Sequence, residues 1–281
     1  MKVAIIGARG QLGSELVKAF REMAIPLDID DLDIREPRGL ERVLGFHAPD
    51  VVINTAAYHN VPGCEKDPEL AFASNVLGVR NLRNACLSLK STLVHISTDY
   101  VFDGRKGTPY GEDDAPNPLN LYGVTKLAGE FFARQVSRHY VIRISSLFGL
   151  AGCVGKGGTN FVKLMLEAAG TRERVAVSSN IVSSPTYAWD AAVRIREILE
   201  DDLEPGVYHV ANGGSCSWHE FAAEIFRQKG AKIILEKRIE TPELQGGLVR
   251  PLNTALRTFK TSPLRPWQAA LADYLKEETA C

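Results

Sequence analysis

The sequence predicts an α/β fold, a doubly wound parallel sheet with a smaller C-terminal lobe. Three observations carry that reading: apolar runs alternate with helical periodicity from the start, a glycine-rich turn joins the first such pair, and the alternation loosens past residue 149. Residues 2–6 read as a buried strand, and residues 11–23 place Leu12, Leu16, Val17 and Phe20 at helical spacing. The unit recurs as a strand at 50–54 before a helix at 68–89, and a strand at 92–97 before a helix at 120–137. A further strand follows at 140–145. Strands separated by helices in this way pair in parallel through right-handed crossovers. Residues 149–158 read as a glycine-rich loop, beyond which helices at 160–169, 187–200, 218–229 and 267–277 interleave with short strands at 207–210 and 233–237. One domain is therefore expected over residues 1–149 and a second lobe over 150–281, partly interleaved with the first.

Composition narrows the partners. Lys and Arg total 33 against 34 Asp and Glu, so no charge excess exists to hold a phosphate backbone or an anionic membrane surface. Nucleic acid and membrane are excluded as expected partners, and no stretch approaches the ~20 apolar residues of a spanning helix. The five cysteines, Cys64, Cys86, Cys153, Cys216 and Cys281, show no metal-ligand spacing, so reduced thiols, no metal and a cytoplasmic location are expected. A homodimer is left open.

Between the first strand and first helix lies Gly7-Ala8-Arg9-Gly10-Gln11-Leu12-Gly13. Glycines there let the backbone approach a pyrophosphate, which then faces the free N–H groups of a helix N-terminus. That context makes the fold Rossmann-like and residues 1–149 a dinucleotide-binding domain. Asp28 ends the second strand about 20 residues past the first glycine, where a carboxylate accepts hydrogen bonds from an adenosine ribose. It equally begins an acidic loop of Asp28, Asp30, Asp31 and Asp33, and Arg9 and Arg35 offset its charge, so both NADH and NADPH stay open. The third strand ends in Asn54-Thr55-Ala56-Ala57-Tyr58, small residues beside which a cofactor can lie.

Tyr122 and Lys126 stand four apart in an expected helix and so share one face. A free tyrosine titrates near ~10, and a neighbouring cation draws it toward the working range, which suits proton transfer. Thr98, where the fourth strand ends, can present its hydroxyl to the oxygen that Tyr122 would protonate, because sites in such sheets form at carboxyl ends of strands. Trp189, Trp218 and Trp267 fall on apolar helical faces and read as packing.

The chain resembles the dTDP-4-dehydrorhamnose reductase family of the extended short-chain dehydrogenase/reductases. The resemblance rests on GARGQLGSEL at 7–16, PDVVINTAAY at 49–58, STDYVFDG at 97–104, PYGE at 109–112, PNPLNLYGVTKLAGE at 116–130 and RPLNTAL at 250–256. It implies a nucleotide-linked 4-keto-6-deoxy sugar as substrate, hydride from NADPH or NADH, and Thr98, Tyr122 and Lys126 as the catalytic set. It also implies a dinucleotide lined by Gly7, Gly10, Gln11, Leu12, Gly13, Asp33, Ile34, Ala56, Ala57, Tyr58 and Asn75, with Lys126 on the ribose. Tyr100, Phe102, Ser146, Asn160, Phe161 and Arg250 would line the sugar nucleotide. Two segments depart from the family: Ser146 stands where an aromatic residue usually packs on the sugar, and NIVSSPT at 180–186 replaces a DQxGxPT-like run. Two other activities share the fold, a nucleotide-sugar epimerase or dehydratase with tightly held NAD, and a cofactor-binding regulatory subunit resembling the methionine adenosyltransferase beta subunit.

Overall fold

In a computed structural model the described residues are 1–152, 157–241 and 246–280. Strands β1 (Val3–Ile6), β2 (Ala24–Leu27), β3 (Val51–Asn54), β4 (Thr92–Thr98), β5 (His139–Ile144) and β10 (Gly206–His209) form one sheet in the order β10-β5-β4-β3-β1-β2, parallel throughout. Pro26 is tolerated in β2 because that strand lies at the edge, where its missing N–H breaks no ladder. The chain moves outward from β1 in opposite directions to β2 and β3, so the crevice beyond the carboxyl ends of β1 and β3 is a topological switch point.

Alternation along the strands splits the core into two layers. Val3 and Ile5 face α1 (Gly13–Phe20) and α8 (Ala188–Glu200) with Leu16, Phe20, Ile195 and Ile198. Ala4 and Ile6 face α2 (Pro37–His47), α5 (Gly78–Leu89) and α6 (Leu121–Ala133) with Leu40, Leu44, Val79, Leu82 and Ala133. Burying both faces of every central strand explains why the strands read as continuous apolar runs.

Three features differ from the expectations. Helix α2 is missing from the periodicity reading; its start is set by Pro37 at the first helical position, where no N–H is needed. The single helix expected over 68–89 is α4 (Pro68–Phe72), a π turn over 73–77, and then α5. Helix α8 and strand β10, expected in the second lobe, instead complete the first: β10 pairs with β5 and α8 packs against α1. The remaining C-terminal elements gather around a third core of Phe148, Val162, Tyr187, Phe221, Trp267 and Tyr274. They include β6 (Leu147–Phe148), α7 (Phe161–Thr171), β7 (Arg174–Ser178), β8 (Val182–Ser183), β9 (Thr186–Tyr187), β11 (Cys216–Ser217), α9 (Trp218–Lys229), β12 (Ile234–Arg238) and α10 (Trp267–Ala280). Trp267 is buried there, and Trp218 and Trp189 pack against the same cluster. The middle of the expected glycine-rich loop, 153–156, lies outside the described residues, as does Cys281.

Candidate active site

The glycine turn is built for close approach. Gly7 has φ +81°, and a Cβ there would come within 2.6 Å of Thr55 Oγ1; a Cβ on Gly13 would lie 2.0 Å from the Gly7 carbonyl oxygen. Gly10 N–H closes the turn on that same carbonyl at 3.0 Å, and Thr55 Oγ1 donates to Ile6 O at 2.7 Å, lashing the ends of β1 and β3 together. Helix α1 has Leu12 as its N-cap and no side-chain cap; Ser14 N–H is turned to Gly10 O at 2.9 Å, and Leu12 and Gly13 N–H are left for an anion. Alongside, Asp33, Ile34, Ala56, Ala57 and Tyr58 line a cavity of about 250 Å³ together with Ile29, Arg35 and Ser74. Asn75, in the π turn, is 1% exposed; its amide accepts from Tyr58 N–H at 2.8 Å and donates to Tyr58 O at 2.9 Å and Thr125 Oγ1 at 3.1 Å. It holds the Ala56-Ala57-Tyr58 wall rather than facing outward. A turn closed to any side chain, an uncapped helix start and this cavity together fit a dinucleotide.

The Gln11 side chain braces the two lobes: its amide donates to Leu147 O at 2.8 Å and accepts from Asn160 Nδ2 at 3.1 Å, so any cofactor contact at this position falls to its backbone. Asp28 is also engaged: it accepts from Arg9 N–H at 2.8 Å, from the Arg9 guanidinium at 3.1 Å and from Ile29 N–H at 2.9 Å. Arg9 reaches Asp30 as well at 2.7 Å, so its charge is shared by two carboxylates. Removing Asp28 takes away a like charge that would oppose a ribose 2′-phosphate and leaves the Arg9 guanidinium with one carboxylate partner, Asp30. Asp28→Ala is therefore expected to raise the kcat/KM ratio of NADPH over NADH by about tenfold. Equal loss with both cofactors would refute this assignment.

Tyr122 stands in the first turn of α6, which Asn120 starts by accepting from Gly123 N–H at 3.0 Å. Glycine at 123 lets the helix abut the next strand end, for a Cβ there would meet Tyr100 O at 2.3 Å. Thr98 closes β4 and is 6% exposed; its hydroxyl donates to Asp99 Oδ1 at 3.0 Å and accepts from Tyr100 N–H at 3.2 Å. Burial pushes the Tyr122 phenol well up from its ordinary value, and a hydrogen-bonding contact with Thr98 draws it part of the way back. Lys126, 3% exposed, donates to Ile96 O at 2.6 Å, and burial pulls its ammonium down to about 8.

Desolvation is the largest influence at both groups, raising the phenol and lowering the ammonium. At neutral pH Tyr122 is a protonated acid beside a cation, the state a proton donor needs.

Around this pair the structure adds residues that the motif reading passed over. Asp99 is 4% exposed and accepts from Thr98, from Ser145 Oγ at 2.8 Å and from Thr254 Oγ1 at 2.5 Å. Burial raises its carboxyl, and those three hydroxyls pull it partly back. Asp99 and Thr254 were within quoted motifs; a buried acid ringed by hydroxyls leaves no spacing signature, so only the fold joins them.

The sugar side is rearranged. Arg250 donates from Nη1 to Tyr100 OH at 3.0 Å, and the Tyr100 ring meets Tyr122 edge-on at 5.8 Å, so Tyr100 and Arg250 sit beside the phenol. Ser146 has φ +41° and shares a 2.6 Å hydrogen bond with Ser183 Oγ, a hydroxyl pair where an aromatic wall was expected to be lost. Three of the expected contacts have partners within the protein. Phe102 is fully buried, stacked on Tyr110 at 4.2 Å and under Arg143. Phe161 turns into the C-terminal core, stacked on Phe221 at 5.4 Å and packed on Trp218. Asn160 caps α7 by accepting from Lys163 N–H and gives its amide to Gln11 and Gly149 O. Among the described residues no group of three or more His, Cys, Asp or Glu gathers to hold a metal, Cys64, Cys86 and Cys216 are free thiols, and no helix is long and apolar enough to cross a membrane.

The profile of the RmlD substrate binding domain matches residues 1–280. The chain is 35% identical over 287 residues to the spore coat polysaccharide biosynthesis protein SpsK of Bacillus subtilis, covering 99% of this chain and 98% of that protein. It superposes on a dTDP-4-dehydrorhamnose reductase of Clostridium acetobutylicum with a TM-score of 0.93 at 35% identity, over 99% of this chain and 100% of that one. The dTDP-4-dehydrorhamnose reductase of Bacillus anthracis, solved in complex with NADP, gives 0.92 at 34% identity, again over 99% and 100%. With the glycine turn, the Thr98–Tyr122–Lys126 set and these full-length matches, the chain belongs to the dTDP-4-dehydrorhamnose reductase family.

Proposed function

We propose that this chain reduces the 4-keto group of a nucleotide-linked 4-keto-6-deoxy sugar, dTDP-4-dehydrorhamnose or a close relative, with NADPH or NADH. The observation that carries the reading is that Thr98 at the carboxyl end of β4, with Tyr122 and Lys126 in the first turns of α6, lies on the same side of the parallel sheet as the glycine turn after β1. When bound, the dihydronicotinamide supplies the hydride. Tyr122 surrenders its phenolic proton to the ketone oxygen, giving the alcohol, and recovers a proton from solvent. Thr98 holds the same oxygen once its hydroxyl turns from Asp99. Lys126, charged at neutral pH, stabilises the phenolate that the transfer leaves behind.

The test is turnover of purified protein with dTDP- and UDP-linked 4-keto sugars and each cofactor. No reduction of any of them by protein that still binds cofactor would overturn the reading, and NAD that resists dialysis would favour an epimerase. A pH dependence follows. A buried lysine whose value is lowered is charged below that value and neutral above it. With Lys126 at about 8, kcat/KM is expected to fall as pH rises through that point. A pH–rate profile that stays flat from about pH 7 to about pH 9 would show that the lysine charge does not serve the reaction.

A further inference from the structure

Two consecutive residues of β4 are each held by a residue of α6, just before Thr98 closes the strand. Lys126 Nζ donates to Ile96 O at 2.6 Å, and Ser97 Oγ donates to Glu130 Oε1 at 2.6 Å. Positions 122, 126 and 130 repeat at i, i+4 and i+8, so they form one stripe along the helix, pressed against the strand. Glu130 is fully buried and accepts from Arg143 Nε at 2.9 Å and Nη2 at 2.8 Å, and from Arg134 at 3.0 Å. Arg143, rooted in β5, is 1% exposed and lies over the Phe102 ring at 5.1 Å. An acid so deep costs desolvation and is weak evidence of stability, so its place one turn beyond the lysine asks for another account.

We propose that Glu130 is a positioning residue for the reduction, keeping Lys126 charged and setting α6 in register with Thr98. The inference rests on the reductase reading above. Glu130 on its own helix and His95 from β4 face Lys126, Asp99 from the end of β4 and Cys64 from α3 (Val61–Lys66) face the Tyr122 phenol, and Arg143 from β5 is paired with Glu130. Burial, with Lys126 beside it, keeps His95 neutral, and burial keeps Cys64 a thiol at about 11. Burial raises the Asp99 carboxyl, whereas Arg143, Ser97 and Arg134 keep the buried Glu130 ionised. Glu130 is thus the carboxylate whose charge opposes the desolvation of the Lys126 ammonium.

The test reads Lys126 directly, by NMR of protein labelled at lysine Cε, with Lys126→Met assigning the resonance. Glu130→Gln keeps the shape and an oxygen for Ser97 but removes the charge. It is expected to lower the Lys126 midpoint by about one unit, a tenfold smaller charged fraction above it, and to lower kcat at pH 8 with KM unchanged. Ser97→Ala removes a neutral hydrogen bond and is expected to leave the midpoint in place. An unchanged midpoint in Glu130→Gln overturns the inference. Should that variant fail to fold, the double variant Glu130→Leu/Arg143→Met removes both charges together and is expected to lower the midpoint in the same direction by less, an unmoved or raised midpoint overturning the inference. The NMR measurement needs no sugar, so an enzyme inert toward 4-keto sugars would sink the proposed function, while an unmoved lysine would sink only this inference.

Discussion

Tyr122→Phe is expected to lower kcat for ketone reduction by about 10²–10⁴-fold while leaving cofactor affinity unchanged. The substitution removes one oxygen and keeps the ring, whose edge-on contact with Tyr100 persists. Burial keeps the phenol protonated, so the lost group is the acid itself and not a nucleophile or a base. Steady-state kinetics with a 4-keto nucleotide sugar, beside a cofactor titration followed by fluorescence, separate the two effects. Activity close to that of the parent enzyme would end the proton-donor assignment.

Gly13→Ala is expected to weaken cofactor binding by about tenfold or more, on the order of 1.4 kcal/mol. The added methyl would sit 2.0 Å from the Gly7 carbonyl oxygen and 2.9 Å from Ala8 Cα, both backbone atoms that no side-chain rotation can clear. The turn must open, and the amides at the start of α1 then move off the pyrophosphate path. Calorimetric titration checks the affinity, and a melting curve without cofactor shows how much of the loss is folding. Wild-type affinity in a folded variant would mean that the turn does not cradle the nucleotide.

Much of this site was legible because its chemistry is local. Gly7, Gly10 and Gly13 are readable as a turn since each answers a backbone constraint, and Tyr122 with Lys126 since i and i+4 share a helix face. Ala56, Ala57, Asp33 and Ile34 meet at one cavity because strand ends of a parallel sheet all open to the same side. What escaped was long-range. Asn160 and Gln11 are polar and sit near the cleft in sequence terms, yet each is consumed by the other across 149 positions, a pairing no spacing rule reveals. Phe102 follows the catalytic strand end directly, but alternation after the turn sends its ring inward, under Arg143. Desolvation was illegible for a different reason: an i, i+4 argument supplies proximity and says nothing of burial, which is the largest influence on both Tyr122 and Lys126.

Strand β10 comes from near residue 206, yet it hydrogen-bonds to β5 through four register pairs, Gly206 with Tyr140 to His209 with Arg143. A fragment ending at residue 149 would bare that side of Tyr140 to Ile144 and leave a row of amides and carbonyls open to other chains. Melting is accordingly expected as a single cooperative event, in which neither lobe survives the loss of the other.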